Sequence, residues 1–130
     1  NGRKFSASME SIFFILGCVS AATAVGLGGA RAHVLERFLP RERLAMLEVG
    51  MRYQFIHSMG LLWVSHALGR GPSGFCTAAG TAFLLGIALF SGSMYGSAFT
   101  GRKGLLKLSP AGGAVFLAGW LLLPLSAWPT

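Results

Sequence analysis

Hydrophobic residues form long blocks along the chain, and the charged residues are confined to the segments between them. Residues 11–30, 71–101 and 108–130 contain no Asp, Glu, Lys or Arg. A helix rises about 1.5 Å per residue and bilayer hydrocarbon is about 30 Å thick, so about 20 apolar residues cross it. Each of these blocks is therefore long enough to span a membrane. A fourth apolar block, residues 53–69, is shorter. If its helix also includes residues 45–49, it becomes long enough to be a span.

Helix-breaking residues fall between these blocks and set the boundaries of the predicted spans. Pro40 interrupts the charged connector after the first block, and the sequence GRGP at residues 69–72 ends the second. Ser109 before Pro110 predicts a capping hydroxyl at the start of the last helix, and Pro124 predicts a kink near its end. The pattern predicts an all-α, integral membrane four-helix bundle with a short interfacial helix between spans one and two. We expect a single transmembrane domain over residues 1–130, with spans at approximately 9–32, 44–69, 73–98 and 109–128.

Composition and charge agree with a membrane protein. Of the 130 residues, 53% are hydrophobic and 12% are charged, against about a quarter charged in soluble proteins, and the mean hydropathy is +0.62. The net charge of +7 does not indicate nucleic-acid binding, because the 11 basic residues lie at span ends and not on one soluble face. The connectors after spans one and three hold most of them, so these connectors are expected to face the cytoplasm or matrix, with both termini opposite. The connector side carries Arg31, Arg37, Arg41, Arg43, Arg52, Arg102, Lys103 and Lys107, and the other side carries Arg3, Lys4 and Arg70.

The second span carries polar residues that are unusual at membrane depth, where such side chains are costly and often functional. Residues four apart share a helix face, and this spacing joins Glu48 with Arg52, Tyr53 with His57, and Gln54 with Ser58. We expect the first pair to form an interfacial salt bridge and the others to bond neighbouring helices; a proton or ligand site is the alternative. His33, at the end of span one, is expected to cap the interface or to partner Glu48 or Tyr53. The candidate polar patch consists of His33, Glu48, Arg52, Tyr53, Gln54 and His57.

Catalytic and metal-binding patterns are absent from the sequence. Cys18 and Cys76 lie in apolar spans and lack the spacing of a metal knuckle or redox motif, so we expect them to pack. His66 follows His57 by nine residues, about half a turn off its face, so one helix cannot hold a metal with both. No spacing selects a haem between His57 and His33, and no nucleophile elbow or phosphate loop is present. The sequence therefore predicts no enzyme activity, no metal and no cofactor, and leaves a bound lipid open.

Small residues recur every four positions in the first and third spans, a spacing that lets helices approach closely. Packing inside the bundle explains them most simply, and contacts with other copies or subunits are the alternative. The positions are Ala22, Gly26 and Ala30, then Ala78, Ala82 and Gly86, then Ala88, Gly92 and Gly96.

Four segments of the sequence resemble a known family. They are residues 26–33 (GLGGARAH), 53–58 (YQFIHS), 89–95 (LFSGSMY) and 109–113 (SPAGG), the last followed by Gly119 and Trp120. In order and placement they are similar to the small four-span membrane proteins grouped as domain of unknown function 423, with bacterial inner-membrane members and eukaryotic transmembrane protein 256-like members. Arg31 and Ala111 depart mildly from the residues usual at those positions. The resemblance implies a four-helix membrane bundle without an established molecular activity.

These observations favour a non-catalytic multi-pass protein, an accessory subunit of a larger inner-membrane complex of the mitochondrial respiratory or ATP synthase type. The chain is nearly all span, and its basic start, with Arg3 and Lys4, suits an imported protein. The mitochondrial inner membrane is the expected location, and a bacterial inner membrane is the alternative. The alternative function is a stand-alone bundle that binds or transports a lipid, quinone or small solute through the polar patch in span two. The expected partners are membrane lipid and other membrane protein subunits, and not nucleic acid.

Overall fold

A computed structural model describes residues 2–128, and the regular structure in this part of the chain is entirely helical. Residues 1, 129 and 130 of the predicted domain lie outside the described residues. The α-helices are α1 (Gly2–His33), α2 (Arg41–Leu68), α3 (Gly74–Gly86), α4 (Gly92–Thr100) and α5 (Ser109–Leu122). A π-helical turn (Ile87–Ser91) joins α3 to α4, and 3-10 segments lie at Leu35–Arg37, Lys103–Leu108 and Leu123–Ala127.

Three helical stretches are long and apolar enough to cross a membrane: Gly2–His33, Gly74–Thr100 and Lys103–Ala127. They correspond to the first, third and fourth predicted spans. The all-α prediction is confirmed, and these three spans have the length and composition of membrane helices. α2 has 28 residues, which is also long enough, but its polar side chains keep it out of this group. That α2 crosses the membrane stays a prediction.

The connector between α1 and α2 contains less helix than the sequence predicts. α1 continues to His33, and the expected interfacial helix is reduced to the single 3-10 turn Leu35–Arg37. Pro40, with φ −67°, occupies the N-cap position of α2, which begins at Arg41 rather than near residue 44. Proline suits a helix start because the N–H that it lacks would have no intrahelical acceptor there.

The start of α5 differs from the capped helix that the sequence predicts. Ser109 is the first residue of the helix, Pro110 lies in the first turn, and no side-chain hydrogen bond caps this helix start. The hydroxyl of Ser109 instead lies 2.8 Å from the hydroxyl of Ser93 in α4, and both residues are buried. The predicted cap is wrong because a local sequence pattern does not reveal a partner on another helix. By contrast, Ser73 does cap α3.

α2 lies at the centre of the packing. α1 packs along one side of it, while α3, the π turn and α4 pack along the other, and α5 packs mainly along α3. The main core contains Phe13 of α1, Leu61 and Val64 of α2, Phe83 of α3 and Phe116 of α5. Only 17% of the most apolar window of α1 is buried. Most of its apolar surface therefore faces outwards, which suits a helix whose outer side contacts lipid.

The small-residue stripes divide between the inside and the outside of the packing. Gly86 faces the ring of Phe116 so closely that no Cβ would fit. At Gly26 and Gly92, by contrast, an added Cβ would meet no atom within 4 Å. Internal packing therefore explains Gly86, whereas Gly26 and Gly92 lie on open outer surfaces.

The two basic connectors lie at the same end of the molecule. Lys103 Nζ lies 3.6 Å from Glu42 Oε1. The guanidinium of Arg43 lies against Gly101 in the space that a Cβ would fill, and glycine also adopts the φ of +77° there without strain. We call this the basic end. Arg70 lies in the turn after α2, at the opposite end.

A π-helical turn interrupts the long third helix, where the sequence predicts an unbroken span. Residues Ile87–Ser91 form this turn, and a π turn holds one residue more than an α-helix of the same rise. Ser91 within it is fully buried and donates to the carbonyl oxygen of Gly50 in α2 at 2.7 Å. α3 then packs on α5 and α2, whereas α4 packs on α2 and on the segment Lys103–Leu108.

Candidate functional site

The structure separates the candidate polar patch into parts with different surroundings. His33, at the C-terminal end of α1, is exposed, and its side chain makes no hydrogen bond or ion pair with the described residues. The other members lie on α2. Glu48 and Arg52 are exposed near the basic end, whereas Gln54 and His57 are only 7% and 4% exposed. The patch is therefore not one surface.

Gln54 links three helices by hydrogen bonds. Its Nε2 donates to the carbonyl oxygen of Ser20, at 2.8 Å, and to Thr23 Oγ1, at 2.7 Å, both in α1. Its Oε1 accepts from the hydroxyl of Tyr95 in α4 at 2.5 Å. Both amide hydrogens of Gln54 are thus used, and the oxygen has a partner. Gln54 is a structural link, and its amide has no hydrogen left for a ligand.

Serine hydroxyls extend this network along the contact between α1 and α2. Ser58 Oγ is hydrogen-bonded to Ser20 Oγ, at 2.7 Å, and to the carbonyl oxygen of Gln54, at 2.6 Å. Further along, Ser65 Oγ donates to the carbonyl oxygen of Glu10 at 2.8 Å. Interhelical hydrogen bonds in membranes contribute about 0.6 kcal/mol each on average, so several together fix the register of the two helices.

His57 lies in an aromatic cluster formed by α2, α3 and α5. Its ring is stacked on Phe116, with centroids 3.4 Å apart and planes 8° apart. The rings of Phe83 and Trp120 lie 5.6 Å and 5.9 Å away. Nδ1 lies 2.6 Å from the carbonyl oxygen of Tyr53, and because a carbonyl only accepts, Nδ1 is the donor. The imidazole therefore packs as an aromatic ring with one polar contact inside its own helix.

Tyr53 extends the aromatic cluster as far as the protein surface. Its side chain is 39% exposed, and its ring lies 4.6 Å from that of Phe90, centroid to centroid. The sequence predicts that the side chain of Tyr53 bonds a neighbouring helix. In the structure this side chain makes ring contacts, and the backbone carbonyl of Tyr53 accepts a hydrogen bond from His57.

Glu48 pairs with two arginines near the basic end. Arg31 Nη2 in α1 lies 3.3 Å from Glu48 Oε2, and Arg52 Nη2 lies 4.0 Å from Glu48 Oε1. The predicted pair with Arg52 is therefore present, but the shorter contact is with Arg31. The expectation that His33 partners Glu48 or Tyr53 is wrong, because residues two apart differ by about 200° around a helix, and Arg31 is the one that faces α2. These side chains are 31% to 63% exposed, so each pair contributes about 0–1 kcal/mol.

The residues that could bind a metal do not converge. Among the described residues, no group of three His, Cys, Asp or Glu side chains could hold a metal ion. His33 lies at the basic end and His66 near the other end of α2, with His57 between them in the aromatic cluster. Cys18 is exposed on α1, and Cys76 is buried in α3.

Three residues that complete the hydrogen-bond network around Gln54 were missed by the sequence reasoning: Ser20, Thr23 and Tyr95. Two signals could have found them. Ser20 and Thr23 are polar positions three apart in an otherwise apolar span, and therefore share a helix face. Tyr95 ends the segment LFSGSMY, whose serines also face inwards.

The large surface grooves do not open onto this network. Two grooves of about 650 and about 630 Å³ are lined mainly by apolar side chains, and neither includes Gln54 or His57. The second runs beside α2, α4 and α5, where Met46, Phe90 and Met94 line it. The buried polar groups therefore hold helices together, and the grooves offer apolar surface to lipid-like molecules.

Comparison with known proteins gives consistent matches. A family model described as "Protein of unknown function (DUF423)" matches residues 27–113. The UPF0382 membrane protein YwdK of Bacillus subtilis is 36% identical over 117 residues, which cover 89% of this chain and 95% of that protein. A UPF0382 membrane protein of Haemophilus influenzae is 33% identical over 115 residues, which cover 88% of this chain and 92% of that protein. The UPF0382 inner membrane protein YgdD of Escherichia coli is 32% identical over 120 residues, which cover 92% of each chain. No solved structure matches the chain.

Proposed function

This chain belongs to the DUF423 family of membrane proteins, and we propose that it is a non-catalytic, four-span structural subunit of a larger assembly in a bacterial-type inner membrane. The observation that carries the proposal is the internal bonding of the polar groups on α2. Gln54 and Ser58 bond to neighbouring helices, and His57 bonds to its own helix and stacks on Phe116. Groups that are committed to one another in this way support a packing role rather than chemistry.

α2 supplies the fourth span in this proposal. Its polar residues Gln54, His57 and Ser58 are buried, so the neighbouring helices shield them from lipid. Polar side chains are tolerated at membrane depth when they face the protein interior and have partners. With four spans, the basic end faces the cytoplasm, because most Lys and Arg residues lie there.

The outer surface of α1 is the face that we assign to a partner subunit. Ile15, Val19 and Val25 are 55% to 65% exposed, and Gly26 leaves open space beside them.

The proposed location, a bacterial-type inner membrane, is taken from the similar proteins. Those described above are bacterial, and the Escherichia coli relative is named an inner membrane protein. They give no support to the mitochondrial preference, so the bacterial alternative replaces it in this proposal.

Native electrophoresis tests the assembly. Membranes that contain the tagged full chain are solubilised in a mild detergent and run on a native gel, and the band is analysed by mass spectrometry. Migration in a large complex with reproducible partner proteins supports the proposal. Migration as a small lone species contradicts it.

A pair of variants then tests whether α1 is the partner face. Gly26→Leu adds a side chain on the outside of α1, and Gly92→Leu adds the same side chain on the outside of α4; both positions are open. We expect Gly26→Leu to release the chain from the complex and Gly92→Leu to leave it bound. The reverse result would move the partner face to α4.

A second candidate function is the binding of a lipid, quinone or small solute by a stand-alone bundle. The groove of about 630 Å³ beside Phe90 and Met94 favours it, because a groove of this size accommodates a small ligand. The polar patch of α2 is not the site in this version, since Gln54 and His57 are buried elsewhere. A lone species on the native gel, with lipid or quinone retained in its mass spectrum, would favour this candidate.

A further inference from the structure

A pocket lined by aromatic, aliphatic and polar side chains lies at the end of the molecule opposite the basic end. It has a volume of about 460 Å³ and lies between the C-terminal part of α2, the turn after it, and the end of α5. Its lining includes Trp63, His66, Arg70, Trp120 and Ser126. Pockets that hold small ligands or cofactors commonly have volumes of about 300–1,000 Å³, so a lipid headgroup fits this space.

Arg70 brings an uncompensated positive charge to this pocket. Its side chain has no hydrogen bond or ion pair with the described residues. The carboxylate of Glu10 in α1 lies beside Gly69 but forms no ion pair with Arg70. A guanidinium presents parallel N–H donors that match two oxygens of a phosphate, and His66 adds a ring nitrogen to the same pocket.

The depth of the pocket matches the boundary between headgroups and hydrocarbon. Arg70 lies in the turn beyond α2, and Trp63 lies seven residues earlier, which corresponds to about 10 Å along the helix. Trp63 is 61% exposed, and Trp120 on α5 is 37% exposed. Indole rings favour this boundary because they combine an apolar body with one N–H donor. The pocket thus offers a cation at its mouth and aromatic surface below it.

From this arrangement we infer that the pocket binds one anionic phospholipid, with its phosphate at Arg70 and His66 and its glycerol backbone and upper acyl chains against Trp63 and Trp120. This inference is independent of the proposed subunit role. A basic residue near an anionic membrane surface is worth about 1 kcal/mol, which corresponds to about a fivefold preference for an anionic over a zwitterionic headgroup.

Quenching of tryptophan fluorescence by brominated lipids tests the site. The full chain carries Trp128→Phe, so that Trp63 and Trp120, both in the pocket, supply the signal. It is reconstituted in phosphatidylcholine bilayers that contain increasing fractions of brominated phosphatidylglycerol or brominated phosphatidylcholine. The ratio of the two association constants is measured for this parent, for Arg70→Gln and for the control Arg102→Gln at the basic end.

We expect about a fivefold preference for phosphatidylglycerol in the parent and in Arg102→Gln, and a ratio near one in Arg70→Gln. Arg70→Lys keeps the positive charge but loses the paired N–H donors, so a preference ratio between these two values is expected. Arg70→Lys takes the place of Arg70→Gln if the Gln variant loses helical structure. Equal quenching by both lipids in the parent overturns the inference. So does an equal loss in Arg70→Gln and Arg102→Gln, or competition by inorganic phosphate alone, which would indicate a free anion.

An Arg70 that only compensates the carbonyl dipole at the end of α2 predicts a different result. Arg70→Gln would then lower the thermal stability equally in both lipids and leave the preference ratio unchanged. That outcome would also overturn the inference.

Discussion

Replacing Gln54 by Leu tests whether the buried network stabilises the helix packing. The substitution keeps a side chain of similar size but removes two donated hydrogen bonds to α1 and one accepted bond from Tyr95. At about 0.6 kcal/mol for each interhelical bond, the free energy of unfolding should fall by about 2 kcal/mol. Tyr95→Phe removes one of these bonds and should cost about 0.6 kcal/mol. The double variant should be no less stable than Gln54→Leu, because the shared bond is already lost.

The assay is reversible unfolding of the purified chain from mild-detergent or lipid micelles by a denaturing detergent, followed by circular dichroism. The parent, Gln54→Leu, Tyr95→Phe and the double variant form a double-mutant cycle. The cycle isolates the contribution of the hydrogen bond between Gln54 and Tyr95. Thr81→Val serves as a control, because Thr81 is exposed and its hydroxyl bonds only within its own helix. We expect no measurable change in that variant.

Strict additivity of Gln54→Leu and Tyr95→Phe would refute this reasoning, since two partners of one bond must show coupling. An unchanged or increased stability in Gln54→Leu would refute it too. In that case the network would be present without contributing to the packing of α1, α2 and α4.

Three further predictions concern packing and charge. Gly112→Ala should lower the free energy of unfolding by about 1–3 kcal/mol, because the new Cβ would lie 2.5 Å from the backbone nitrogen of Phe90. Gly113→Ala should not lower it, because its Cβ would meet no atom within 4 Å. Unfolding by a denaturing detergent compares the two variants. Glu48→Gln removes two exposed ion pairs and should lower the free energy of unfolding by about 0–2 kcal/mol, and raising the salt concentration should abolish the difference. His57→Leu should weaken packing against Phe116 and leave the visible absorption spectrum of the purified chain unchanged; loss of a spectral band with the helices intact would instead show that a cofactor was bound.

The sequence predicts the helices well because the apolar blocks are long and their breaks are chemically marked. Pro40, and the glycines around Arg70, stop helices through backbone effects that act locally, so the connectors fall near the expected positions. The start of α5 was not predictable in the same way. Ser109 fits the pattern of a cap, but its hydroxyl bonds to Ser93, a partner that only the folded chain brings near.

The candidate site was only partly predictable for the same reason. The periodicity of α2 shows that Gln54 and Ser58 share one face, and both do face α1. It does not show which residue of α1 meets them. Arg31 and His33 are both polar and close in sequence, and only the rotation of α1 about its axis decides that Arg31 meets Glu48.

The π-helical turn at Ile87–Ser91 has a consequence for how this chain tolerates insertions and deletions. One residue corresponds to about 100° of rotation in an α-helix, but a π turn takes up its extra residue within the turn and leaves the helices on either side aligned. Removing one residue from this turn would therefore restore α geometry and keep Tyr95 facing Gln54. Removing one residue from the middle of α2 would instead rotate the rest of that helix by about 100°. The π turn is thus a place in the third span where the chain tolerates the loss of a residue.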